Sequence, residues 1–346
     1  MTRCVVLVLI GTEVTMVLFS ALSSSMHPSL IPQIAQANWL PLCRVNEVPT
    51  TYVKTLDIEY VKVGVFKAPG EDFKAIHPTC PHRHGPLCGE RISEDGTVIC
   101  PYHGAKFNTR SGECLDFLGS GDLLQSSLYE YETRVDQDDV LWCKVSEDPV
   151  PFPELPCAVK EDERVVQGTT VVAVSAFDLV ENLCCCTHVH QVHKFGNKKD
   201  PQPKNINKCV VSQSSCGYTY DYNNGGSSTI LSSGTVNVAN GFYGPFSVYS
   251  NVAFEDHRKQ KRTKSIRVSV LPLSPTRSRM FWTISRDFMP HGVFDPVARY
   301  IMESTIAEDA ALLLRMNGPR PMTNQALTKF DWIIAKYRQH LRECDD

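Results

Sequence analysis

The 346 residues predict an α+β protein built in two successive parts. Three observations carry this. From about Ala35 to Asp148 short apolar or alternating runs are bounded by Gly, Asp and Pro, the pattern of brief strands and turns. Pro149-Val-Pro-Phe-Pro-Glu-Leu-Pro156 is a stiff connector. Beyond it, longer strand patterns end in two helical ones. The expected division is therefore 1–35, 36–148 and 149–346, the last two each long enough to hold a core. Hydrophobic residues make up 42% and charged residues 21%, ordinary values for a globular chain. Thirty-five basic against 38 acidic residues leave a net charge of -3 and no basic stripe, which argues against a nucleic-acid partner.

The first segment stands apart. Arg3 precedes an apolar stretch from Cys4 to Leu22, interrupted by Gly11-Thr12-Glu13 and followed by Ser23-Ser24-Ser25. A basic residue, an apolar run and small residues at Ala21 and Ser23 describe a signal peptide. The alternatives are a retained anchor, for which Glu13 is costly, and an extension of the reading frame. No later segment reaches the roughly 20 apolar residues that span a bilayer. The 14 cysteines are scattered, apart from one contiguous run at 184–186, and imply a compartment that keeps most thiols reduced. A signal-like start on such a chain suits a plastid reached through the secretory route, with membrane association as the other reading.

In the 36–148 part, Tyr60–Phe66 and Val140–Val145 read as strands. Between them lie two cysteine–histidine pairs, Cys80-Pro81-His82 and Cys100-Pro101-Tyr102-His103, separated by seventeen residues, 83–99. Two thiolates and two imidazoles on separate tight loops suit a two-iron, two-sulfide cluster, with the histidines raising its potential. Pro81, Pro101, Gly85 and Gly104 let backbone pass close to a compact cofactor. Structural zinc also takes Cys2His2, but zinc fingers pair cysteine with cysteine and histidine with histidine. His77 and His84 fall outside the pattern, and Cys88 and Cys114 read as small buried side chains.

In the 149–346 part, Val165–Val174 reads as a strand leading to Glu181-Asn-Leu-Cys-Cys-Cys-Thr-His-Val-His-Gln-Val-His193. Ferrous iron that activates oxygen is held by two histidines and one carboxylate on one face. His190 and His193 are neighbours on a continuous helix; His188 and His193 need a helix that bends or breaks, and spacing alone does not choose. A Gly/Ser/Asn-rich stretch at 213–234 suggests mobile hairpin loops. Strands are expected at Phe242–Phe254, Lys264–Leu273 and Ser278–Arg286, then helices at Asp295–Met316 and Asn324–Arg342.

The first-half motif, C-P-H-R-H-G-P-L-C-G…I-C-P-Y-H-G-A-K-F-N…G-E-C, resembles the Rieske iron–sulfur domain of ring-hydroxylating and demethylating oxygenases. The second half is similar to their catalytic domain, whose pattern N-x-x-D-x-x-H-x4-H is met by Asn182, Cys185, His188 and His193. The resemblance, strongest to vanillate demethylase and pheophorbide a oxygenase types, covers residues from about 36 to 342. It implies an all-β [2Fe-2S] domain followed by a helix-grip (START-like) domain whose curved antiparallel sheet holds a long helix over a pocket. It implies Cys80, His82, Cys100 and His103 as cluster ligands, and His188, His193 and Asp309, preferred over Glu308, as ligands of a mononuclear Fe(II). His190 then becomes a pocket or outer residue. It also implies dioxygen and an organic substrate, an external ferredoxin or NAD(P)H-dependent reductase, and a homo-oligomer, commonly a trimer, that pairs cluster and iron between subunits. No G-x-G-x-x-G lies between a strand and a helix, so nicotinamide and flavin belong to the reductase.

One position departs from the family. Where an aspartate links the two metal centres, this chain has Cys185. A thiol is a weak donor and acceptor, so either coupling is weakened, leaving an electron carrier or an impaired oxygenase homologue, or the thiol or a water replaces the carboxylate. Cys184 and Cys186 read as helix packing. Tyr218, Tyr220, Phe242, Tyr243 and Phe246 supply aromatic surface for a pocket, although core packing suits most of them.

Overall fold

The computed structural model describes residues 38–59, 61–68, 70, 72–117, 123–146, 152–153, 160, 162–212, 215–223, 234–316 and 328–343, and the backbone of a hairpin, β1 (Leu7–Ile10) with β2 (Glu13–Met16). The rest of the expected leader, and most of the proline-rich connector, lie outside the described residues. Among the described residues no helix is long and apolar enough to cross a membrane.

Among the described residues of the first half are ten short strands: β3 (Trp39–Arg44), β4 (Lys54–Ile58), β5 (Val61–Lys67), β6 (Phe73–Ile76), β7 (Thr97–Ile99), β8 (Lys106–Asn108), β9 (Cys114–Asp116), β10 (Glu130–Tyr131), β11 (Thr133–Val135) and β12 (Val140–Lys144). They pair antiparallel in three small sheets, ordered β10-β6-β5-β4, β11-β12-β3 and β7-β8-β9. The third carries the loop of the second cysteine–histidine pair. The cluster loops stand over a separate small core, in which Phe66, Ile76, Leu87, Val98 and Phe107 surround Cys80 and Cys100. The remaining apolar residues of this half join the core of the second half, with Phe152 of the connector set edge-on against Trp39 and Trp142 at 5.1 and 5.6 Å.

The second half is one seven-stranded antiparallel sheet wrapped over helices. Its strands are β13 (Arg164–Val172), β14 (Lys204–Ser212), β15 (Ser215–Asn223), β16 (Thr235–Tyr243), β17 (Ser247–Glu255), β18 (Lys261–Ser274) and β19 (Arg277–Arg286), in the order β13-β19-β18-β17-β16-β15-β14. Helices α1 (Ala176–Cys184) and α2 (Val189–Val192) follow β13, while α3 (Asp295–Arg315) and α4 (Trp332–Glu343) close the chain. This is the helix-grip arrangement. Two expectations need correction. The run Phe242–Phe254 is two strands, because Gly244 takes φ +64° and turns the chain before Phe246. Nine residues of the stretch expected as mobile loops form β15, where Cys216, Tyr218, Tyr220 and Tyr222 alternate onto one face. The last helix begins at Trp332; Asn324 lies outside the described residues.

Strand alternation gives the sheet two working faces. One is seen in Phe242 against Tyr337 of α4 (5.3 Å), Trp282 under the Arg299 guanidinium of α3, and Tyr218 donating to the Cys184 carbonyl at the end of α1. The other faces the first half: Arg267 on β18 donates from Nε and Nη2 to both carboxylate oxygens of Asp138, at 2.8 and 2.7 Å. Both partners are buried. Arg44 adds bonds to the Trp282 carbonyl (2.8 Å) and the Gly168 carbonyl (3.1 Å). Glycine is required at 168, where a Cβ would lie 2.0 Å from the Trp282 ring.

Candidate metal centres

The two cysteine–histidine loops fold alike. Cys80 N–H donates to the Gly85 carbonyl (2.8 Å) and His84 N–H returns to the Cys80 carbonyl (2.9 Å). Twenty residues on, Cys100 N–H donates to Ala105 (2.8 Å) and Gly104 N–H to Cys100 (2.9 Å). The residue four after each cysteine is left-handed, His84 at φ +56° and Gly104 at +69°. His84, set outside the motif by its spacing, thus has a structural part in closing the first loop. Gly85 is needed for close approach, since a Cβ there would lie 2.8 Å from both Cys100 Sγ and Tyr102 Cβ.

This folding brings the four side chains to one point. Cys80 and Cys100 are each 1% exposed and their thiols face one another. Burial, with the neighbouring Cys100, pushes the Cys80 thiol up to about 11, so a thiolate there requires a cation. The rings of His82 and His103 meet edge-on at 4.9 Å, and His82 also packs on Phe117 at 4.8 Å. His82 Nδ1 is buried with no hydrogen-bond partner. Paired buried thiols beside paired imidazoles, one of them with an orphaned nitrogen, fit a cluster of two irons and two sulfides. Cys88 and Cys114 are both free thiols.

The second centre is assembled from distant segments. Ser175 caps α1, accepting from the Asp178 N–H at 3.1 Å, and the helix stops at Cys184 because Cys185 turns extended (φ -72°, ψ 132°). A single turn, α2, follows, with His188 at its start and His193 at its end. The helix ends at Val192 and His193 turns extended (φ -85°, ψ 143°), the bend that a five-residue spacing requires. Across from it, α3 turns the buried stripe Met302, Ile306, Asp309 and Leu313 inward. A carboxylate at 4% exposure within an apolar stripe has no ordinary surface role.

His188, His193 and Asp309 are the described residues that meet: one ligand atom from each lies within 4.8 Å of the others. Asp309 Oδ1 is 3.5 Å from His188 Nε2 and 3.4 Å from His193 Nε2. It has no hydrogen-bond partner, and neither does the buried His188 Nδ1. Burial raises the Asp309 carboxyl, against the two histidines and the facing Asn182 amide. These orphaned atoms fit a cation at their centre. Glu308, weighed in the sequence as a competing ligand, instead accepts from His193 Nδ1 at 3.0 Å. A carboxylate only accepts, so the proton sits on Nδ1 and the Nε2 lone pair faces Asp309. The adjacent acids on a helix were the available signal for this pair. His190 stands apart: its Nδ1 accepts the Asn197 N–H (3.1 Å) and its ring meets Tyr222 edge-on at 4.8 Å.

Cys185 lies beside the His188 imidazole, its Sγ 3.3 Å from Thr187 Oγ1. Burial works to raise this thiol, but His188 and Thr187 outweigh it and lower it to about 7. Cys184 and Cys186 are buried core residues, at 0% and 1% exposure. Of the aromatics expected to line a pocket, Tyr218, Tyr220 and Phe242 face the helices. Tyr243 lies on the opposite face, near Tyr249, and Phe246 stacks on Phe177 of α1 at 5.7 Å.

Comparison with known proteins agrees with this picture. Residues 38–124 match the model of the Rieske [2Fe-2S] domain. The chain is 31% identical over 117 residues to apoptosis-inducing factor 3 of Homo sapiens, covering 34% of this chain and 18% of that protein. It is 27% identical over 201 residues to the chloroplastic protochlorophyllide-dependent translocon component 52 of Arabidopsis thaliana, covering 51% and 34%. The chain thus spans about a third or less of these relatives' length. Against the ferredoxin subunit of 3-phenylpropionate/cinnamic acid dioxygenase of Escherichia coli it is 32% identical over 78 residues, 22% of this chain and 72% of that one. Among solved structures, apo dicamba monooxygenase superposes with a TM-score of 0.68 at 18% identity, covering 90% of this chain and 97% of that one. NdmA of Pseudomonas putida CBB5, in a mutant with caffeine, gives 0.75 at 16% identity, covering 92% of each. With the Rieske domain matched in sequence, the chain belongs to the Rieske [2Fe-2S] proteins, and over nine-tenths of its length it has the fold of dicamba monooxygenase and NdmA.

Proposed function

We propose that this chain is the catalytic subunit of an oxygen-dependent enzyme that hydroxylates or demethylates a small organic substrate, aromatic or pigment-like. The observation that carries the reading is the buried triad His188, His193 and Asp309, with Glu308 orienting His193. Cys80, His82, Cys100 and His103 hold the cluster, and the triad holds ferrous iron. When bound, the cluster supplies single electrons and the ferrous ion supplies the place where dioxygen meets a substrate C–H bond. The protein's own part is positional. Glu308 fixes the His193 tautomer, Asn182 faces Asp309, and Cys185 braces the His188 ring. The helices laid across Tyr218, Phe242 and Trp282 exclude bulk water from the sheet face.

Electrons come from a separate ferredoxin or NAD(P)H-dependent reductase, in line with the cluster's solvent side, where His103 and Tyr102 reach the surface (Tyr102 is 55% exposed). An apolar strip on α3 and the turn before it, Val293, Val297, Tyr300 and Ile301 at 50% exposure or more, supports assembly as a homo-oligomer, a trimer by family likeness. The chloroplastic relative and the signal-like leader support a plastid location. The 36–148 and 149–346 division follows the two metal centres.

Cys185 supports a second reading, an electron carrier or impaired oxygenase. Iron analysis separates the two. Three irons per chain, with oxygen uptake on reduction, is the expected result; two irons and no uptake would leave the carrier. In the same preparations, Cys185→Asp is expected to speed oxidation of the reduced protein about tenfold or more when substrate is present, read by stopped-flow loss of the cluster spectrum.

A further inference from the structure

The helix-facing side of the sheet carries one row unlike the others. The rows through Val248, Val268 and Trp282 and through Ile266 and Ile284 are largely apolar and covered by helices. The next row reads Tyr220, Val238, Val252, Lys264, Arg286 and Arg164 across six strands. It begins as floor and ends as three cations. One carboxylate serves two of them. Asp295, at the start of α3, receives Arg164 through Nε (3.1 Å) and Nη2, and Arg286 through Nη2 (2.8 Å). Lys264 makes no ion pair among the described residues. Arg286, 3% exposed, keeps a second nitrogen, Nη1, buried with no partner.

We propose that Lys264, with Arg286 beside it, anchors a carboxylate or similar anionic group of the organic substrate. This deepens the oxygenase reading and rests on it. Lys264 belongs to the same face as Ile266 and Val268, two and four residues on, so it points into the space roofed by the helices and not toward the first half. The metal triad roofs the opposite end of the row: Tyr218 holds the end of α1, and His190, between the two ligand histidines, sits on Tyr222. Three strand spacings separate Tyr220 from Lys264, about 14 Å along the row. An organic acid of ring size, with its anionic end at Lys264, spans from the cation corner toward the iron. Charge supports this occupant. A partly buried ammonium without a counter-ion is costly, and burial holds Lys264 below the usual lysine range. A carboxylate arriving there satisfies Lys264 and the free Arg286 nitrogen together.

The test uses the full metal-loaded chain and three probe pairs, namely benzoate, 2-naphthoate and 1-pyrenebutyrate, each against its methyl ester, with binding read by calorimetry. At least one acid is expected to bind about tenfold or more tighter than its ester. Lys264→Met should bring that ratio close to one, and Lys264→Arg should keep it. Acids that bind no better than esters, or a preference that survives Lys264→Met, would overturn the proposal. Iron content is measured on the same samples. Three irons in wild type and Lys264→Met alike keep the oxygenase reading whatever the acid preference, whereas two irons in wild type would sink that reading first.

Discussion

The cluster loops and the triad bring their candidate metal ligands together by opposite strategies. All four proposed cluster ligands lie within residues 80–103, on two loops that close through their own backbone hydrogen bonds. The triad joins the ends of a one-turn helix to a residue on a helix beyond the whole sheet, and even its supporting contact spans 115 positions, from His193 to Glu308. The first site is local geometry; the second is a product of tertiary packing. A local site survives loosening of the domain around it, whereas a packed site loses its geometry as soon as the helices shift.

The largest effects should come from the ligands, and they should be separable. Asp309→Ala is expected to cut iron from three to two per chain and abolish oxygen uptake while leaving the cluster spectrum unchanged. Cys80→Ser should do the converse to the visible absorbance and rhombic EPR signal. If Asp309→Ala also bleached the cluster, the two sites would not be independent. Next in size is the junction between the halves. Asp138→Ala leaves the Arg267 guanidinium buried and uncompensated, a loss of about 3–5 kcal/mol in urea unfolding. Removing the Glu308 acceptor by Glu308→Ala should weaken binding of the third iron about 10- to 100-fold in chelator titrations, with His188 and His193 unchanged.

The smallest effect concerns acid. Arg164 and Arg286 hold the Asp295 carboxyl down to about 2, below its unfolded value. A depressed carboxyl contributes stability above the unfolded pKa and loses it as pH falls from about 4 through 2. The stability gap between wild type and Asp295→Asn should therefore be widest at neutral pH and shrink toward pH 2, read as urea midpoints.

The same contrast decides what a reader of the sequence can recover. The cluster loops were legible because their ligands, prolines and glycines are contiguous; Gly85 is dictated by a contact with Cys100 only fifteen residues away. The helix end at Val192, just before His193, was implied by the five-residue gap from His188 to His193. Asp309 stood out only through the resemblance, although its place in the stripe Met302, Ile306, Asp309 and Leu313 is a physical signal. Glu308 in its orienting position was not legible, because the choice between adjacent acids depends on the rotation of α3 against α2. Nor was β15, whose tyrosine alternation is diluted by the polar residues around it. Lys264 reads as one more basic residue in K-R-T-K until strand pairing puts it beside Arg286.

Strand β18 carries both the junction and the cation row. Arg267 looks toward Asp138 in the first half, and Lys264, three positions earlier, looks the other way. Inserting or deleting a single residue between them would swap one of these outlooks, bringing an uncompensated charge to a wall that has no place for it. The segment can drift by replacement, or by paired insertions, but its length parity is locked. Any descendant of this chain that altered its substrate would have to do so without changing that count.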